Sequence, residues 1–126
     1  MRAMRNVEPR KPLVFIGPSR QDLRDMPDVI QDRFGLALFE AQKGRMPGNA
    51  TPLKGYRGAG VLDMIEDYES DTYRAVYTVR FAGVVYVLHV FQKKSHHGIK
   101  TPRQDLALIG RHLKDAEYHY RHVFQG

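Results

Sequence analysis

Apolar positions along this chain fall into two periods. Leu13-Val14-Phe15-Ile16 is a short apolar run closed by Gly17-Pro18, which predicts a first strand. Ser19 with Asp22 three residues on is a capping signal for a short helix to about Met26. Pro27 suits the first turn of a second helix. Ile30, Phe34, Ala37, Leu38 and Ala41 then recur at helical spacing, and Gly44 marks the stop.

Residues 45–60 are rich in Gly and Pro and predict a loop, with an edge strand beginning near Leu53-Lys54. Val61 to Glu66 is a strand candidate, and Tyr68-Glu69-Ser70-Asp71 a turn. Thr72–Phe81 and Val84–Lys93, rich in Val, Tyr and Phe, predict a hairpin turning at Ala82-Gly83. Thr101-Pro102-Arg103-Gln104 opens a last helix, with Thr101 at the N-cap, Pro102 at the first helical position and Gln104 at the third. Leu106, Ile109, Leu113, Ala116 and Tyr120 form its apolar stripe. The order β-α-α-β-β-β-α predicts an α+β domain with a small antiparallel sheet packed on helices. Residues 13–126 are expected to form one domain, preceded by a flexible basic arm at 1–12.

A two-residue turn makes opposite residues of the hairpin sum to 165, so Val76 faces His89 and Arg74 faces Phe91. Alternation then puts Arg74, Val76, Thr78, Arg80, Val85, Val87, His89, Phe91 and Lys93 on one face. Tyr73, Ala75, Tyr77, Val79, Phe81, Val84, Tyr86, Leu88 and Val90 fall on the other, the expected floor for the helices. The mixed face is expected to stay open, as one face of an antiparallel sheet often does. There Arg74, His89 and Lys93 converge as a phosphate site, with Phe91 placed to stack on a base. Each has a plainer alternative. A lone strand Arg is usually solvated or ion-paired, and a His among apolar residues is usually a satisfied core residue.

Composition adds the electrostatics. The 126 residues are 42% hydrophobic and 27% charged, with a formal net charge of +6. This is a globular composition, and its charge favours nucleic acid, the ribosome or an acidic protein. Beyond the hairpin, Lys94, His96, His97 and Lys100 extend the cationic stretch, and Lys54 and Arg57 add charge from the glycine-rich loop. Cysteine is absent, so disulfides and thiolate metal sites are excluded, and a cytoplasmic location is expected. No apolar run reaches the roughly 20 residues of a membrane span. His112, His119 and His122 read as a solvated helix face, and no HExxH pattern points to a metal. KGYRGAG matches neither a Walker loop nor GxGxxG, and no nucleophile elbow surrounds Ser19, Ser70 or Ser95.

The runs Leu53-Lys54-Gly55, Gly60-Val61-Leu62 and Asp71 to Tyr77, then Tyr86 to Ser95 and Gly98-Ile99-Lys100-Thr101-Pro102, resemble the phage-derived, HigB-like branch of the RelE/ParE toxin superfamily. The resemblance spans about residues 12–120. It implies a type II toxin, cytoplasmic, causing growth arrest. Such toxins act as metal-independent, ribosome-dependent mRNA endonucleases or, in the ParE-like members, as gyrase poisons. It also implies a small helix-turn-helix antitoxin as partner, with operator DNA bound only by the toxin–antitoxin complex. No cofactor is expected. Metal-free RNA cleavage needs a base for the 2′-OH, an acid for the leaving oxygen and stabilisation of charge at phosphorus. On this reading Arg74 stabilises the phosphate, and Lys54 and Lys93 are candidates for base or charge stabiliser. His89 is a candidate for proton transfer. Arg57, Phe91, Lys94, His96 and Lys100 are candidates for RNA contact. One departure stands out: many relatives carry an Arg where this chain has Ile65, and Asp63 and Glu66 add negative charge beside it. That departure supports an alternative, a toxin-fold protein that binds gyrase, antitoxin or RNA without cleaving.

Overall fold

A computed structural model describes residues 10–56, 60–93 and 101–125. Residues 1–9 of the expected basic arm at 1–12, and Arg57, Lys94, His96, His97 and Lys100, lie outside the described residues. Strand β1 (Leu13–Phe15) leads into helix α1 (Ser19–Arg24) and helix α2 (Asp28–Gln42). The short strand β2 (Ala50–Pro52) precedes β3 (Val61–Tyr68), β4 (Asp71–Thr78) and β5 (Val85–Lys93). Helix α3 (Arg103–His119) follows and ends in a π-helical turn, Tyr120–Phe124.

The domain is α+β, as the pattern predicted, but its sheet is mixed. Strand order is β1-β5-β4-β3-β2, and β1 runs parallel to β5 while the other neighbours are antiparallel. The reason is topological. Two helices between β1 and the meander give the long crossover that a parallel pair requires. The edge strand is Ala50–Pro52; Leu53 follows it, donating its backbone N–H to Val61 O at 2.9 Å. Residues 10–12 are held against the body: the Lys11 N–H donates to Gln42 O at 2.9 Å, and Pro12 O accepts from Val85 N–H at 3.0 Å.

Helix α2 buries Ile30, Phe34, Ala37, Leu38 and Ala41, the residues its periodicity selected. Gly44 follows it with φ +84°, the left-handed step that ends many helices and suits glycine. These side chains pack with Met64, Ala75, Tyr77, Val85 and Val87 on one face of the sheet. Helix α3 covers the other face, setting Ile109 and Ala116 against Val61, Val76, Tyr86 and Leu88. Both faces are therefore covered, and the mixed face expected to stay open lies under α3.

The β3–β4 turn centres on Glu69 and Ser70, both at positive φ (48° and 74°), as a tight two-residue hairpin turn demands. In the β4–β5 hairpin the expected register holds from Thr72↔Lys93 to Val76↔His89. A bulge then shifts it, and Tyr77 faces Val87. Leu88 is the extra residue. The shift reverses the predicted facing of the turn-proximal part of β5. Tyr86 and Leu88 pack under α3, while Val85 and Val87 join the α2 side. The connection is longer than two residues, since β4 ends at Thr78 and β5 starts at Val85. Both faces of β5 needed apolar side chains, so alternation carried no mark of the shift.

Candidate functional site

The part of the register that held contains the candidate residues. Arg74, His89, Phe91 and Lys93 project from the far halves of β4 and β5, on the face that α3 covers. Asp63 and Ile65 share that face from β3, because Ile65 pairs with Arg74 and Asp63 with Val76. Ile65 thus stands directly opposite Arg74.

Arg74 is only 2% exposed, and Asp63 4%. Their side chains form a two-point ion pair. Arg74 Nη2 donates to Asp63 Oδ2, and Nε donates to Oδ1 at 3.2 Å. Nη2 also donates to Thr101 Oγ1 at 2.7 Å. The guanidinium carbon lies 5.5 Å from the Phe91 ring centroid. Burial pushes the Asp63 carboxyl above its ordinary value. The hydrogen bond and charge of Arg74, and then the charge of Lys93, oppose that rise.

His89 has a different partner. Its Nε2–H donates to Asp105 Oδ1 at 2.7 Å, and its ring stacks on Phe91 at 4.9 Å between centroids. The carboxylate fixes the tautomer, leaving Nδ1 as the acceptor nitrogen of the neutral ring. His112, expected on a solvated face, is buried. Its Nδ1–H donates to the carbonyl of Leu88 at 2.6 Å, so it satisfies a backbone group at the bulge. Gly17, at φ +56°, makes room for its Nε2, which lies 3.1 Å from where a Cβ would stand. His119 Nδ1 and the Tyr86 hydroxyl share a hydrogen bond of 2.8 Å.

Lys93 is half-buried at the end of β5. Lys54 is exposed in the turn after β2, beyond the level of the Val61–Thr78 pair. Arg74 lies four residues back along β4, about 13 Å at roughly 3.3 Å per residue, so the sheet does not bring these two cations together. A groove lined by Asp22, Asp25, Met26, Tyr73, His89, Phe91 and Gln92 runs between α1 and β5. Among the described residues no group of three or more His, Asp or Glu is arranged to hold a metal ion, and no helix is long and apolar enough to cross a membrane.

Sequence reasoning missed the partnerships of four residues. Thr101 accepts from Arg74 instead of capping α3. The N-cap is Pro102, and no side-chain cap bond is present there. Asp105 and His112 looked like ordinary helix residues. For Asp63 a signal existed: a two-residue turn at Glu69-Ser70 sets the β3–β4 register and puts Asp63 and Arg74 on one face.

The fold and site define a small α+β protein with a buried Asp-Arg pair beneath a helix and a cationic strand end beside it. The chain belongs to the family described as phage derived protein Gp49-like (DUF891), whose profile matches residues 21–114. This is the HigB-like toxin family to which the sequence motifs pointed. Two solved structures are similar. A mutant of the E. coli toxin RelE in the free state shares 23% identity over 64% of this chain and 81% of its own, with a TM-score of 0.46. The toxin–antitoxin complex RelBE2 of Mycobacterium tuberculosis gives 20% identity over 67% of this chain and 99% of the matched chain, with a TM-score of 0.45. No curated protein matches the chain significantly.

Proposed function

We propose that this chain is the toxin of a type II toxin–antitoxin pair and acts as a metal-independent, ribosome-dependent mRNA endonuclease. The observation that carries this reading is its membership of the Gp49-like family over residues 21–114. A small helix-turn-helix antitoxin is the proposed partner, with operator DNA bound only by the complex, and the cytoplasm is the proposed site of action.

The described site supports a division of labour. Cleavage needs proton transfer at the 2′-oxygen and the leaving 5′-oxygen, plus cations near the phosphate. His89, with Asp105 holding its Nε2–H, is suited to proton transfer. Lys93 supplies charge at the strand end, and positioning on the ribosome supplies much of the remaining advantage. Lys54 is proposed as a peripheral contributor of charge, with Arg57, Lys94, His96 and Lys100 as RNA contacts. A base stacking on Phe91 would compete with His89, which already stacks there. Induction of the protein without its antitoxin should arrest growth and yield mRNAs cut at discrete positions, mapped by primer extension. Growth arrest with intact mRNA would sink the nuclease reading.

A second reading is a non-catalytic toxin-fold protein: a gyrase poison, or a binder of antitoxin or RNA. It is favoured by the burial of Arg74, whose guanidinium is held by Asp63 and Thr101. Inhibited supercoiling by purified gyrase, with mRNA left intact, would select the gyrase version. Tight RNA binding with steep salt dependence and no cleavage product would select the RNA-binding version.

A further inference from the structure

The buried Asp63–Arg74 pair lies at the threshold of α3, on the sheet face that also carries the end of β5. Lys93 closes β5 on the same face as Arg74, two residues beyond Phe91, and its charge acts on Asp63. Thr101 stands two residues before α3 and accepts from Arg74 at 2.7 Å. One ion pair therefore meets the threshold of the helix through a hydrogen bond, on the sheet face that also carries the end of β5. A guanidinium 2% exposed, with a carboxylate on two of its nitrogens, is poorly placed to meet a phosphate arriving from solvent. It is well placed to fix what surrounds it, because an ion pair in a low-dielectric site is strong and directional.

We propose that Asp63 and Arg74 are a positioning pair, which holds Thr101 and the first turn of α3 in the geometry that RNA cleavage requires, and that Arg74 does not itself contact the scissile phosphate. The inference rests on the nuclease reading for its role in activity. Its structural half stands apart from that reading. Asp105, the partner of His89, lies within the first turn of α3, where the Leu106 N–H donates to Pro102 O at 3.0 Å. Loosening Thr101 thus loosens Asp105 and, through it, His89. The pair acts on proton transfer at one remove.

The test uses Thr101→Val, Asp63→Asn, Arg74→Ala and the Asp63→Asn/Arg74→Ala double variant, in cleavage of mRNA on programmed ribosomes. Thr101→Val keeps the shape and removes one charge-assisted bond, so kcat should fall roughly tenfold with KM unchanged. Asp63→Asn should lower kcat as Arg74→Ala does, and the double variant should be no worse than either single one. If Arg74 instead contacts phosphate, Asp63→Asn frees it. Unchanged or faster cleavage in Asp63→Asn and Thr101→Val, with activity lost in Arg74→Ala, overturns the proposal. Amide hydrogen exchange supplies a readout that needs no activity. Thr101→Val and Asp63→Asn should speed exchange at Leu106 while leaving the core of α2 protected. Unchanged exchange at Leu106 in folded Thr101→Val overturns the proposal as well. A wild-type protein that cuts no mRNA refutes the nuclease reading alone, and the exchange result then decides the positioning pair.

Discussion

Arg74 on β4 binds Asp63 on β3 through two of its nitrogens in a place nearly closed to water. Ion pairs so placed are expensive to break from one side, because the surviving charge stays buried and unmatched. Arg74→Ala should therefore lower unfolding free energy by about 3–5 kcal/mol, measured by urea denaturation. Replacing both partners with apolar residues, Asp63→Leu with Arg74→Met, should cost far less than the sum of the single changes. A pair of additive, small effects would show that the two groups are solvated in solution.

Tyr77 predicts a pH dependence. Its ring is fully buried, and its hydroxyl has no hydrogen-bond partner among the described residues. Burial pushes its pKa from 10.0 up to about 12. The neutral form is favoured in the folded state. Its contribution to stability is complete below pH 10 and is lost as pH rises from 10 towards 12. Two pKa units correspond to a loss of about 2–3 kcal/mol across that window. Tyr77→Phe should remove this part of the alkaline slope. At neutral pH it should be neutral or stabilising by about 1 kcal/mol, since a buried hydroxyl without a partner costs folding energy. Chemical denaturation of both proteins at pH 7 and pH 11 checks both statements.

Gly17 and His112 should be coupled. Gly17→Ala places a Cβ in the left-handed region and against the His112 ring, so it should destabilise by about 1–2 kcal/mol from backbone strain alone. Removing the ring in His112→Ala relieves the contact but strands the Leu88 carbonyl, at a cost of about 1–3 kcal/mol. The double variant should be more stable than the sum of the two predicts, and thermal unfolding of the four proteins measures that difference.

His89→Phe tests proton transfer. The substituted ring can still stack on Phe91, and only the Asp105 bond and the titrating nitrogens are lost. Cleavage on ribosomes should fall by roughly 10²-fold or more if His89 moves a proton. A variant that folds and cuts at the wild-type rate would remove His89 from the mechanism.

The amino-acid order by itself determined the elements whose apolar period is long and one-sided. The Ile30–Ala41 and Leu106–Tyr120 stripes settled α2 and α3, and the Val- and Tyr-rich runs settled β4 and β5 with the family motifs they carry. The grouping of Arg74, His89, Phe91 and Lys93 was legible too, because it depends only on strand alternation within the part of the hairpin where the register holds. Tertiary structure alone decided what those residues meet. The bulge at Leu88 left no trace in a strand that is apolar on both faces, and β1 became a parallel neighbour only because two helices lengthen its connection. Whether Arg74 faces water or Asp63 depends on where α3 lies and on the register of a different strand pair. These are long-range relations, and a local pattern does not encode them. A face that the pattern left open to an anion is closed by a helix, and its arginine is paired within the protein.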